Sequence, residues 1–94
     1  MHILRIEHSV ADFDAWKDAF ELDPVGREQG GVRSYRVLRP IDDRKYVMID
    51  LAFDGSGEAA AFLAKLRALW ARVEGTLMEA PRARIVEEVE STTY

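Results

Sequence analysis

The sequence predicts an α+β domain of βαββαβ order, a four-stranded antiparallel sheet with two helices on one face. Three observations lead there. Four segments alternate apolar and polar residues with the two-residue period of strands, and two others space their apolar residues as helices do. The second and third strands are close enough for a hairpin, and the other connections contain the helices, so two right-handed crossovers leave both helices on the same side.

His2 to His8 is the first strand, with Leu4 and Ile6 on the face of the two histidines and Ile3, Arg5 and Glu7 on the other. A helix follows from about Asp12 to Leu22, because Phe13, Trp16 and Phe20 fall on one stripe. Its start can be drawn in two ways. Ser9 and Asp12 have the spacing of a capping box, and Asp12 alone is also a good N-cap. Pro24, Gly26, Gly30 and Gly31 stop the helix, and the adjacent glycines can take positive φ before the next strand.

Val32 to Arg39 and Lys45 to Phe53 are the second and third strands, joined by the turn-rich Pro40 to Arg44. The third has a wholly apolar face of Val47, Ile49, Leu51 and Phe53, and a mixed one of Tyr46, Met48, Asp50 and Ala52. Ser56 is the expected cap of a second helix running to about Glu74, with Glu58 near its positive end and Gly75 as its stop. Phe62, Leu66, Leu69 and Val73 form its stripe, flanked by Leu63 and Trp70. After Pro81, Arg82 to Val89 alternates as the fourth strand. Residues 1–90 make a single domain, and residues 91–94 a polar tail.

The apolar face of the third strand belongs under the helices, so the opposite face carries Tyr46, Met48 and Asp50, with Leu4, Ile6 and His8 as candidates to join them. That half-apolar face needs a cover, and two copies packing sheet against sheet would supply it.

Composition narrows the chemistry. The chain has 94 residues, 48% hydrophobic and 32% charged, enough for one core and too apolar for disorder. It has no cysteine, which removes disulfides, thiolate metal sites and thiol catalysis. With 17 acidic against 13 basic residues, interspersed, the formal charge is −4, and nucleic acid is not an expected partner. The first residues lack the pattern of a signal peptide, and no apolar run approaches the roughly 20 residues of a membrane span. The expected setting is cytoplasmic, away from membranes.

Several features together resemble the dimeric α+β barrel superfamily, and within it the small antibiotic biosynthesis monooxygenase-like proteins. They are His8 at the end of the first strand, the Asp12-Phe13-Asp14-Ala15-Trp16 helix start, Gly31-Val32 opening the second strand, and Glu58-Ala59 through Phe62. The resemblance spans about Met1 to Val89. It implies ferredoxin-like subunits that pair as a homodimeric barrel, each with a cavity between sheet and helices. Relatives of this architecture include cofactor-independent oxygenases of polycyclic phenols, polyketide cyclases, haem-degrading enzymes, lactone isomerases and ligand sensors, so fold alone does not fix a reaction. The Asn and paired-Trp arrangement of the haem-degrading branch is not recognisable in this chain.

His8 is the foremost candidate for chemistry, since imidazole accepts or donates a proton near neutral pH. Either it hydrogen-bonds the nearby loop or Asp12 as a structural residue, or Asp12 or Asp14 fixes one ring nitrogen while the other faces a cavity. The spacing of His2 and His8 makes no metal motif, and Gly55-Ser56-Gly57 has neither a nucleophile elbow nor a phosphate loop around it. Neither a metal nor a cofactor is expected. Trp16, Phe20, Phe62 and Trp70 are core residues or an aromatic wall for a planar ligand. Arg36, Tyr46, Asp50 and Arg84 line a polar part of a pocket or an intersubunit seam, or else are cross-strand ion pairs. Arg27, in the loop after the first helix, is an exposed loop arginine or closes over an anionic ligand.

The expectation is a cofactor-independent monooxygenase-like enzyme acting on an aromatic or polyketide-like small molecule. His8 would be the proton acceptor, Asp12 its orienter, and Trp16, Arg36, Tyr46, Asp50 and Trp70 the substrate-binding residues. The alternative is a non-enzymatic dimeric protein that binds a small ligand or serves as an accessory, consistent with few ionisable groups near the cavity. RNA binding on the sheet would need more than Tyr35 and Tyr46 on an acidic chain.

Overall fold

A computed structural model describes residues 1–73 and 78–94. Six elements follow one another: β1 (His2–Val10), α1 (Phe13–Glu21), β2 (Ser34–Leu38), β3 (Tyr46–Phe53), α2 (Ser56–Val73) and β4 (Met78–Glu87). The strands form one antiparallel sheet in the order β2-β3-β1-β4, the ferredoxin-like arrangement that the βαββαβ order predicts.

Register decides what each face carries. Leu4 pairs with Leu51, Ile6 with Ile49 and His8 with Val47, so these six share the face under the helices. All are buried, and the five apolar ones join Val10, Phe53, Trp16, Phe62, Leu63 and Trp70 in one core. Leu4, Ile6 and His8 therefore lie beneath the helices rather than on the open face with Tyr46, Met48 and Asp50. The open face instead receives Ile3, Arg5 and Glu7, which oppose Ala52, Asp50 and Met48.

Strand β1 is two residues longer than the alternation of His2 to His8 suggests. Ser9 pairs with Tyr46, and the Val10 amide donates to the Lys45 carbonyl at 2.8 Å. That takes Ser9 out of any cap. Asp12 is the N-cap of α1, in extended conformation, its carboxylate accepting from the Asp14 amide at 3.2 Å. At the other end Leu22 closes the helix and Asp23 turns the chain with φ of 51°, the left-handed region that Asp tolerates better than most residues.

Of the two adjacent glycines only Gly31 has positive φ, at 98°. Gly30 is required for space, because a Cβ there would stand 2.5 Å from Phe62 Cδ1. Helix α2 begins at Ser56 itself, one residue before the expected first turn, with the Ala59 amide bonded to the Gly55 carbonyl. Gly55 thus holds the cap position expected of Ser56. The expected helix end at Glu74 and Gly75 lies outside the described residues.

Strand β4 begins at Met78 and runs through Pro81, instead of starting after it, and ends at Glu87, short of Val89. Proline is tolerated because β4 is an edge strand, and because the ladder breaks there. Glu7 pairs with Arg82 and Ser9 with Glu79, so the single residue His8 stands opposite two residues, Ala80 and Pro81, in a β-bulge.

Candidate functional site

A cavity of about 230 Å³ opens between the sheet and the two helices. Its floor is β1 and β3 through Ile6, His8, Ile49 and Leu51, and its walls are α1 and α2 through Trp16, Phe20, Phe62 and Trp70. The loop after α1 forms the rim: Leu22 lines the cavity while remaining 80% exposed, and Asp23 and Arg27 lie beside it. Among the described lining residues, His8, Asp23 and Arg27 are the ionisable ones, in an otherwise apolar and aromatic enclosure.

His8 is 3% exposed and stands on the strand segment that the bulge interrupts. Its Nδ1 lies 3.1 Å from the Ser9 carbonyl. A carbonyl only accepts, so Nδ1 carries the hydrogen and the neutral ring presents an unprotonated Nε2. No hydrogen bond reaches Nε2 among the described residues, and His8 is one of the residues lining the cavity. Burial pushes the His8 pKa below its ordinary value, and the Ser9 hydrogen bond opposes that shift. The result is a buried imidazole held toward its neutral form on an apolar wall of the cavity.

The orienting group differs from the expected one. Asp12 spends its carboxylate on the helix cap, and the backbone of Ser9 holds the His8 ring. Trp16 supplies a second constraint, standing edge-on to His8 and stacking in turn on Phe20 at 5.1 Å between ring centres.

The seven predicted site residues divide between the two faces of the sheet. His8, Trp16 and Trp70 line the cavity, and Asp12 caps the helix that carries Trp16. Arg36, Tyr46 and Asp50 lie on the opposite face, away from the cavity. There the pairings align Arg36, Asp50, Arg5 and Arg84 in one row across all four strands. Asp50, 6% exposed, is gripped by Arg5 at 2.8 and 2.9 Å and by Arg36 at 3.0 Å. These hydrogen bonds, that to Arg5 first, hold its carboxyl below the usual range, against the opposing effect of burial. Tyr46 donates to Glu7 at 2.6 Å, and that bond raises the phenol pKa. Sequence reasoning missed Arg5 and Glu7, whose partners are set by strand register. It also missed Asp23, although the Asp23-to-Arg27 spacing beyond a helix was a readable signal.

No protein-family model matches the chain, and no curated protein does. Solved structures match over nearly its whole length. SnoaB, a cofactor-independent oxygenase from Streptomyces nogalater, superposes with a TM-score of 0.77 at 12% identity, covering 96% of this chain and 94% of that one. A candidate antibiotic biosynthesis monooxygenase from Nitrosomonas europaea gives 0.73 at 18% identity, covering 98% and 93%. A dimeric ferredoxin-like protein from an uncultured marine organism gives 0.72 at 12% identity, covering 97% of each chain. What these structures share with the chain is the ferredoxin-like fold, the fold that the resemblance of the sequence implies. No helix among the described residues is long and apolar enough to cross a membrane.

Proposed function

We propose that the protein is a cofactor-independent monooxygenase-like enzyme whose substrate is an electron-rich aromatic or polyketide-like phenol. The observation that carries this reading is a neutral His8, with Nε2 unpartnered among the described residues, on the wall of an apolar aromatic cavity. His8 accepts the phenolic proton, and the resulting anion has carbanion character at a ring carbon. Dioxygen forms a new C–O bond at that carbon, and the O–O bond then breaks. The substrate loses two hydrogens and gains one oxygen atom, becoming a quinone, and the second oxygen leaves as water. Trp16 and Trp70 flank the rings, and apolar walls surround the anion. The neighbours named as monooxygenases and the cofactor-independent oxygenase of the same fold support the assignment by analogy.

The same reading includes a cytoplasmic homodimer paired through the open sheet face. Its support is the dimeric neighbour and the apolar Ile3, Met48, Leu38 and Val86 surrounding the charged row. Sedimentation of the purified chain is expected to give twice the monomer mass, and a monomer at micromolar concentration would remove this part.

A non-enzymatic ligand carrier is the second reading, favoured by the scarcity of ionisable groups around the cavity. Oxygen uptake and quinone absorbance, measured with a panel of hydroxyarenes after chelator treatment, separate the two. Turnover that His8→Ala abolishes without unfolding supports the enzyme. Ligand binding without oxygen uptake, or full activity in His8→Ala, defeats the role assigned to His8.

A further inference from the structure

Arg27 is the one cationic side chain among the described residues that line the cavity, and proton abstraction by His8 leaves it without a task. It is an enclosed loop arginine, its side chain only 16% exposed. The guanidinium carbon lies 4.0 Å from the Phe20 ring centre and 4.8 Å from that of Tyr35, so two aromatic rings clamp the group. Nη1 donates to the Phe20 carbonyl at 2.9 Å.

Asp23 does not consume the remaining donors. Its carboxylate accepts the backbone N–H of Arg27 at 2.8 Å, and the closest ion-pair distance to the guanidinium, at Nε, is 3.7 Å, too long for a hydrogen bond. Nη2 has no acceptor among the described residues. A planar fork of donors held rigid beside an apolar cavity matches a carboxylate. A single arginine, already facing one aspartate, suits one negative charge better than the two of a phosphate.

We propose that Arg27 makes the cavity selective for planar aromatic carboxylates, holding the carboxylate at the rim while the rings lie among Trp16, Phe20 and Trp70. This deepens the aromatic-ligand reading of the cavity and rests on it. The loop from Leu22 to Arg27 then serves as the specificity element, with the φ of Asp23 setting where the guanidinium stands.

Calorimetric titration of the full chain with 2-naphthoate and 2-naphthamide tests this, since the two differ in charge and little in shape. The wild-type protein is expected to bind 2-naphthoate about tenfold tighter than the amide, the scale of one charge-assisted hydrogen bond. Arg27→Met keeps the apolar stem and is expected to erase that preference by weakening 2-naphthoate alone. Arg27→Lys, which keeps the charge without the fork, is expected to retain part of it, and is the deciding variant if Arg27→Met loses its native near-ultraviolet circular dichroism. Equal affinity of the wild type for both probes overturns the proposal, as does an equal loss for both in a folded Arg27 variant, the mark of a structural role. Failure to bind either probe overturns the aromatic-ligand reading itself, and the selectivity with it.

Discussion

The His8 ring stands edge-on to Trp16, with centres 5.8 Å apart and planes at 65°. The contact couples packing to chemistry: the indole that holds the imidazole also belongs to the buried core and to the cavity wall. From Trp16 the aromatic series continues through Phe20 to Tyr35, with the Arg27 guanidinium over both of the last two rings.

Trp16→Ala is therefore expected to destabilise the fold by about 3–5 kcal/mol, as large-to-small core changes do. Trp16→Phe keeps an aromatic wall and should lose much less. Urea unfolding followed by the fluorescence of the remaining Trp70 checks both, and a loss below about 1 kcal/mol for Trp16→Ala would place the indole outside the effective core.

The pH dependence of stability has a definite sign at His8. Its pKa is lowered by burial, so between the folded value and about 6.5 the unfolded chain binds more protons. Stability falls as pH drops through about 6.5 and stops falling on this account below the folded value. Asp50, with a lowered carboxyl pKa, contributes stability that is lost only as pH falls below about 4. Urea midpoints from pH 8 to 5 should fall in the wild type and stay flatter in His8→Gln; parallel curves would contradict the buried neutral imidazole.

Gly30→Ala is expected to cost about 1–3 kcal/mol, because the new methyl overlaps the Phe62 ring and the Gly30 amide is tied to the Gly26 carbonyl at 3.0 Å. In a Phe62→Ala background the same change should cost about 1 kcal/mol less. A double-mutant cycle by thermal unfolding measures that coupling, and additive effects would exclude the contact.

Asp50→Asn is expected to cost about 1–2 kcal/mol, a modest loss because both arginines reach toward solvent. Arg5→Gln should lose more than Arg36→Gln, since Arg5 engages both carboxylate oxygens and Arg36 only one. None of the three should alter affinity for a ligand in the cavity. A parallel loss of 2-naphthoate binding in Asp50→Asn would join the two faces that the register keeps apart.

Local pattern carried most of the fold. The stripe of Phe13, Trp16 and Phe20 and the apolar side of β3 are contiguous signals, and they led to the correct helix and strand. The face of β1 was not legible, because Ile3 makes both sides partly apolar and only pairing with β3 assigns Leu4, Ile6 and His8. Pro81 read as a boundary because a bulge on an edge strand leaves no local mark. For the site, the residue types at His8, Trp16 and Trp70 were readable, whereas Arg36, Tyr46 and Asp50 were separated from them by strand register, which pairs residues far apart in the chain, such as Ser9 with Tyr46 and Arg5 with Asp50. Asp12 had two legitimate tasks by sequence, and the structure shows the capping one.

The bulge opposite His8 works as a phase correction in the pleat. Had the alternation of the first residues of β4 carried straight through, Arg82 and Arg84 would point under the helices, and Ala83 and Ile85, which pack against the core, would point away. The bulge thus absorbs one surplus residue, so that two apolar side chains rather than two guanidinium groups meet the interior. Length at this point therefore sets the shape of the strand and not its faces: a single deletion at Ala80 or Pro81 would leave one residue opposite His8 and remove the bulge, with Glu79 still opposite Ser9 and Arg82 still opposite Glu7.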